Sequence, residues 1–338
     1  MSDKLTSLLL EKEVVLADGA MGTSLFDLGL ANGAAGELWN VDHPERIAVV
    51  HQGFVDAGSE IILTNSFGGN RCRLAFHDSA ERVSEINISA ARIACDVASK
   101  ADGPVVVAGS MGPTGEVLEP HGAFSQADAK SAFVEQATAL KEGGVDFAWI
   151  ETMFSEEELT AAVDAVEAVG LPYVLTMTFD SSGRTMMGIK PSDALSSSKR
   201  KGWQPSAFGA NCGIGPAQLL DSIMGLASAA DASDIIVAKG NCGIPTMGTD
   251  MLPHYDGTPE LMADYACLAR DAGARIIGGC CGTTPKHIKA MRTALDNRPK
   301  ETMPGHGDIE RYLGPVKNTI SPEASNRPQR ERRRRRAS

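Results

Sequence analysis

The chain has 338 residues, 43% hydrophobic and 22% charged, with 32 Lys and Arg against 43 Asp and Glu for a formal net charge of −11. That balance is globular and supports a sizeable core, while the acidic excess argues against nucleic acid as a partner of the folded body. No apolar run reaches membrane-spanning length and the first residues lack the basic and apolar regions of a secretory leader, so a cytoplasmic location is expected.

Eight β-rich runs are predicted, at 14–17, 60–64, 104–109, 147–151, 173–178, 207–212, 235–239 and 275–280. Helix-period stretches lie between them at 44–57, 80–99, 127–142, 156–169, 216–229, 259–272 and 285–295. Ile47, Val50, Phe54 and Val55 show the spacing. The fifth crossover, around 193–201, has the weakest helical pattern. Eight such alternations predict an α/β fold of the (β/α)8 TIM-barrel type, as a single domain over 1–297. From 298 to 338, Pro304, Pro315, Pro322 and Pro328 and the scarcity of apolar residues predict a disordered tail ending in five arginines at 332–336. Such a charge block reads as solvated chain, or as an anchor for RNA, anionic lipid or an acidic partner.

In a barrel of this type the functional residues lie at the C-terminal ends of the strands. The unusual polar and glycine-rich segments fall there: Asp18-Gly19-Ala20-Met21-Gly22-Thr23 after the first run, Asn65-Ser66-Phe67-Gly68 after the second and Ser110-Met111-Gly112-Pro113 after the third. Glu151-Thr152 closes the fourth, Asn211-Cys212-Gly213 the sixth, Asn241-Cys242-Gly243 the seventh and Cys280-Cys281-Gly282 the eighth.

Cysteine usage sharpens the reading. Seven cysteines, an odd count without a leader, favour thiol or metal chemistry over a disulfide framework. Cys280 and Cys281 would point to opposite faces of a continuing strand, so both reach one ion only where the strand ends, and the flanking glycines permit that bend. With Cys212 they form a three-thiolate set for Zn2+, with the fourth tetrahedral position left for a substrate. Cys242 is expected to be a pocket wall, and Cys72, Cys95 and Cys267 small core residues. His287 reads as a surface residue or as one supporting the cysteine loop from behind.

These segments, in this order over about residues 10–297, resemble the motif series of the homocysteine S-methyltransferase family. The resemblance implies a zinc-dependent enzyme in which Cys212, Cys280 and Cys281 hold the metal and homocysteine takes a methyl group to become methionine. It also implies that Asp18 and Glu151 lie near the substrate amine, and Gly19 and Ser110 can offer backbone amides for its carboxylate. Glu37-Leu38-Trp39-Asn40 and Asp42-His43-Pro44-Glu45-Arg46 resemble bacterial stand-alone members grouped with betaine-homocysteine methyltransferases. Glycine betaine is therefore the expected donor, giving dimethylglycine, with S-methylmethionine, another sulfonium, or a corrinoid on a partner protein as alternatives.

A cationic donor favours an aromatic face. Trp39 is the expected wall, with Phe67, Trp149 and Phe154 as substitutes, although strand parity turns Trp149 into the barrel wall. Where animal betaine enzymes carry tyrosines, this chain has Gly68 and Thr152. A homo-oligomer is compatible with the sequence. A reading from a different class, a non-catalytic zinc-binding adaptor recruiting a partner through its arginine tail, does not account for Asp18 and Glu151 across the mouth.

Overall fold

The computed structural model describes residues 4–180, 182–248 and 253–316. Eight parallel strands form the barrel: β1 (Val15–Leu16), β2 (Ile61–Leu63), β3 (Val106–Met111), β4 (Phe147–Met153), β5 (Tyr173–Met177), β6 (Ala207–Cys212), β7 (Ile236–Gly240) and β8 (Ala274–Gly279). Neighbours pair in chain order from β2 to β8, and β8 pairs with β1. The seam between β1 and β2 closes through the Ala17–Ile61 bridge and the hydrogen bonds Glu60 N to Leu16 O (2.7 Å) and Asp18 N to Ile61 O (2.9 Å). The predicted TIM barrel is thus the fold.

Helices follow the strands on the outside, and their starts are written locally. Proline opens Pro44–Asp56, Pro191–Arg200, Pro216–Ala227, Pro259–Asp271 and Pro285–Asn297, where its missing N–H costs nothing. Ser125, Ser155 and Thr258 cap their helices by accepting from the amides of Asp128, Glu158 and Leu261. The weakly patterned fifth crossover is a regular ten-residue helix that buries Ala194 and Leu195.

Strand parity divides the core in two. Val15, Ile61, Val106, Phe147, Trp149, Val174, Ala207, Val237 and Ile276 point into the barrel, where Leu5, Leu8 and Leu9 of the amino-terminal helix Lys4–Glu11 close the lower end. The alternate positions, among them Leu16, Ile62, Val107, Ala148 and Ile277, pack outward against the helices. Two to four residues beyond these apolar interior positions, the same parity turns Ser110, Glu151, Asn211 and Lys239 inward, and all four are buried. The barrel interior is therefore apolar below and polar at the mouth.

The sequence reading of loose chain from 298 needs correction up to 316. Arg270 donates to the carbonyls of Arg298 (2.7 Å) and Pro299 (2.6 Å), and the helix His306–Leu313 buries Ile309 and Leu313 against the main core. The prolines hid a helix whose two apolar residues are one turn apart. The arginine run at 332–336 lies outside the described residues. Among those described, no helix is long and apolar enough to cross a membrane.

Candidate active site

Cys212 ends β6 and Cys280-Cys281 follow β8, two strands away. Their three sulfurs lie within 4.8 Å of one another, and each residue is half-buried. Local backbone makes this possible. Cys212 adopts φ +62°, uncommon for a residue with a Cβ, and Gly282 adopts φ +78° directly after the pair. A side chain at 282 would also collide with the ring of Tyr255, whose Cγ would stand 2.3 Å from the added Cβ. Asn241 Oδ1 accepts from Cys281 N (3.0 Å), and Cys242 N donates to Cys281 O (2.9 Å), so the β7 loop holds the cysteine loop in place.

Three thiols this close cannot all ionise without a cation. Hydrogen bonds from Cys212 and Cys280 hold the Cys281 thiol well below the usual range, while Cys212, hydrogen-bonded to those two neighbours and partly desolvated, is pushed up. A divalent ion with affinity for sulfur resolves the conflict by neutralising all three, so the donor set fits zinc. Cys242 is not part of the cluster: it is buried and directs its Sγ at Gly257 O, 3.2 Å away. Cys267 is buried as expected, whereas Cys72 and Cys95 are only half-buried.

Across the mouth, Glu151 is buried and accepts from Ser110 Oγ at 2.5 Å. Burial pushes its carboxyl up to about 7, helped by Cys280 and opposed by the ammonium of Lys239. Asp18 has two engagements already. Its Oδ2 accepts from Leu63 N at 2.7 Å, clasping the barrel seam, and its Oδ1 lies 3.0 Å from Lys239 Nζ. Lys239 itself is 3% exposed. Burial alone would depress the lysine, but Asp18, Cys280 and Glu151 outweigh it and hold it above its ordinary value, so it stays charged.

Two expected contributors have other occupations. The Ser110 amide donates to Thr64 Oγ1 (3.0 Å), which removes it as a ligand for a substrate carboxylate and leaves Gly19 of that pair. Trp39 lies in the segment after β1 as expected, but Arg46 covers its ring at 4.6 Å and His43 meets it edge-on at 5.2 Å. One cation therefore already stacks on this ring. Trp149 is fully buried, with Nε1 on Thr176 Oγ1 at 3.0 Å. Phe67 is exposed at the rim over Gly112.

Two residues join the site that the sequence reading did not include, Lys239 and Tyr255, and a third, Asn211, noted there only as part of the segment closing the sixth strand, gains a specific role. Lys239 continues the inward parity of Val237. Tyr255, from the loop after β7, packs on Gly282 and lies beside Cys281. Asn211, fully buried, accepts from Thr152 N and donates to Thr152 Oγ1, both at 2.8 Å, and its amide lies 3.8 Å from Cys280 Sγ. Thr152, at φ +62°, is held in the left-handed region by that clamp where β4 bulges. His287 is half-buried rather than a surface residue: Nδ1 accepts from Thr284 N (3.0 Å), and Nε2 meets Gly257 O (3.2 Å), two residues from Tyr255.

The sequence profile of homocysteine S-methyltransferase matches residues 15–295. The chain belongs to the homocysteine S-methyltransferase family. It is 31% identical over 304 residues to a protein named methionine synthase from Mycobacterium tuberculosis, and 29% identical over 310 residues to its counterpart from Mycobacterium leprae. Those alignments cover 86% and 87% of this chain but 25% of each relative, so the chain spans about a quarter of the length of these proteins. Among solved structures, the homocysteine methyltransferase MmuM from Escherichia coli superposes with a TM-score of 0.72 in its oxidized form and 0.71 in its metallated form. Identity is 25% in both, covering 86% of this chain and 99% of that one.

Proposed function

We propose that this protein transfers a methyl group to the thiol of homocysteine, giving methionine, with zinc held by Cys212, Cys280 and Cys281. The observation that carries the reading is the triangle of three sulfurs at the barrel mouth, faced by the buried carboxyls of Glu151 and Asp18. Zinc, when bound, supplies the positive charge that lets the substrate thiol lose its proton near neutral pH. The rest is positioning by the chain. Glu151, hydrogen-bonded by Ser110, receives the substrate ammonium, with Asp18 beside it. The Asn211 clamp holds Glu151 and the cysteines at a fixed separation. Methyl transfer to a thiolate needs no base at carbon, so alignment is the residues' main task.

Glycine betaine is the proposed donor, and a methyl sulfonium is the alternative. With Arg46 over Trp39, the aromatic groups that support a cationic donor are Tyr255 beside Cys281 and Phe67 at the rim. The test is methionine formation by the zinc-loaded protein from homocysteine, with glycine betaine, S-methylmethionine and methylcobalamin offered separately. Turnover with betaine supports the full reading. Turnover only with another donor keeps the thiol chemistry and removes betaine, and failure to bind homocysteine overturns the proposal.

A further inference from the structure

The buried ammonium of Lys239 has no part in the reading above, and its surroundings suggest one. The side chain reaches up from β7 into the centre of the mouth, where Asn211, Lys239 and Gly278 stand side by side in register. An ammonium has three N–H donors. One faces Asp18 Oδ1 at 3.0 Å and one faces Gly19 O at 3.4 Å; the third meets no acceptor among the described residues. Asp18 Oδ1 is likewise buried, and although the ion pair is close, it receives no aligned hydrogen bond. Both partners thus keep unused capacity toward the mouth.

A buried ion pair is weak support for a fold, since apolar residues of similar volume serve as well or better. The layer just below does this with Val237 and Val174. A charged pair two residues higher, with a donor and an acceptor to spare, is better explained by a ligand carrying both signs. The alternative donor for a carboxylate is reduced, because the Ser110 amide is bonded to Thr64 and the Ser110 hydroxyl to Glu151.

We infer that Lys239 binds the carboxylate of the amino-acid substrate, so that Lys239 on one side and Glu151 with Asp18 Oδ1 on the other form a receptor for the zwitterion of an α-amino thiol. This rests on the proposed homocysteine chemistry. The ammonium of the substrate completes the hydrogen bonding of Asp18 Oδ1, and its carboxylate completes that of Lys239. The net charge of the floor is unchanged on binding, which keeps the desolvation cost of a zwitterion low.

The test compares binding of three thiols to the zinc-loaded protein by calorimetry: homocysteine, 4-mercaptobutanoate, which lacks the ammonium, and 3-mercaptopropan-1-amine, which lacks the carboxylate. Lys239→Met should weaken homocysteine and 4-mercaptobutanoate by about 10–100-fold, the loss expected for a hydrogen bond to a charged group, and leave 3-mercaptopropan-1-amine unchanged. Because Lys239→Met leaves Asp18 unpaired, the double variant Asp18→Asn/Lys239→Met is compared with Asp18→Asn alone, and in that background too homocysteine and 4-mercaptobutanoate should weaken while 3-mercaptopropan-1-amine does not change further. Equal weakening of all three thiols by the Lys239→Met change in either background, or no weakening of homocysteine by it, overturns the assignment while leaving the methyltransfer proposal standing. A wild-type protein that binds none of the three overturns both.

Discussion

The two ends of this barrel are built by opposite rules. At the lower end, Leu5, Leu8 and Leu9 seal an interior of Val15, Ile61, Val106, Phe147 and Trp149, all nearly inaccessible. At the mouth the strands, two to four residues beyond their apolar interior positions, bury Ser110, Glu151, Asn211 and Lys239, and two residues with a Cβ, Thr152 and Cys212, take φ +62°. Buried charge and left-handed backbone both cost stability, and both are concentrated where the cysteines converge. The contrast implies a division of labour in which the lower layers stabilise the fold that the upper layer strains.

Substitutions at the two ends should therefore separate activity from stability. The largest effect is expected at the cysteines. Cys281→Ala removes a proposed metal ligand, and since loss of mere supporting partners of a ligand costs ~10–100-fold, metal retention should fall by more than ~100-fold and methionine formation with it. Metal analysis and turnover check this, and the thermal midpoint should move little. At the lower end Trp149→Ala should cost about 3–5 kcal/mol in chemical denaturation, the range for deleting a buried large aromatic, with turnover per folded molecule retained. A Trp149→Ala protein that stays folded but inactive would break the division.

Stability should also depend on acid through a residue outside the cysteine cluster. His51 is fully buried in the helix Pro44–Asp56, neither ring nitrogen has a hydrogen-bond partner among the described residues, and burial lowers its pKa from 6.5 to about 4. Above pH 6.5 the ring is neutral in both the folded and unfolded chain, and the stability is complete. Between 6.5 and 4 only the unfolded chain gains the proton, so stability is lost as pH falls through that window, by roughly 3 kcal/mol in all. Denaturation across pH 4–7 should show this slope, and His51→Leu should flatten it.

Much of this arrangement was legible in the sequence because strands and helices alternate eight times and each strand carries strict parity. Cys212, Cys280 and Cys281 stood out because cysteines at strand ends are rare and chemically distinctive. Lys239 did not, since a lysine closing an apolar run is ordinarily solvent-exposed; only its parity with Val237 marked it as inward. Tyr255 lies in a loop with no periodic pattern, and its contact with Cys281 depends on how that loop folds back across Cys242 and His287. Trp39 was read by residue type, and the guanidinium seven residues later that covers it is a tertiary fact. The helix His306–Leu313 was written in Ile309 and Leu313, but proline content dominated the reading there.

The smallest expected effect tests whether the strain at the mouth has a purpose. Asn211 satisfies both the amide and the hydroxyl of Thr152, a β-branched residue in a conformation that costs about 1–3 kcal/mol, and through the same side-chain amide it approaches Cys280. If the clamp aligns Glu151 with the cysteines, Asn211→Ala should lower kcat/KM for homocysteine by ~10-fold, as for other partners that orient metal ligands. Thr152→Gly removes the backbone cost together with the hydroxyl contact, so it should depress activity while sparing the thermal midpoint. In the double variant the two activity losses should fall short of additivity by about 0.5–3 kcal/mol, because both changes release one clamp. Full additivity would mean that Asn211 acts on Cys280 alone and that the left-handed turn at Thr152 is incidental to the alignment of Glu151.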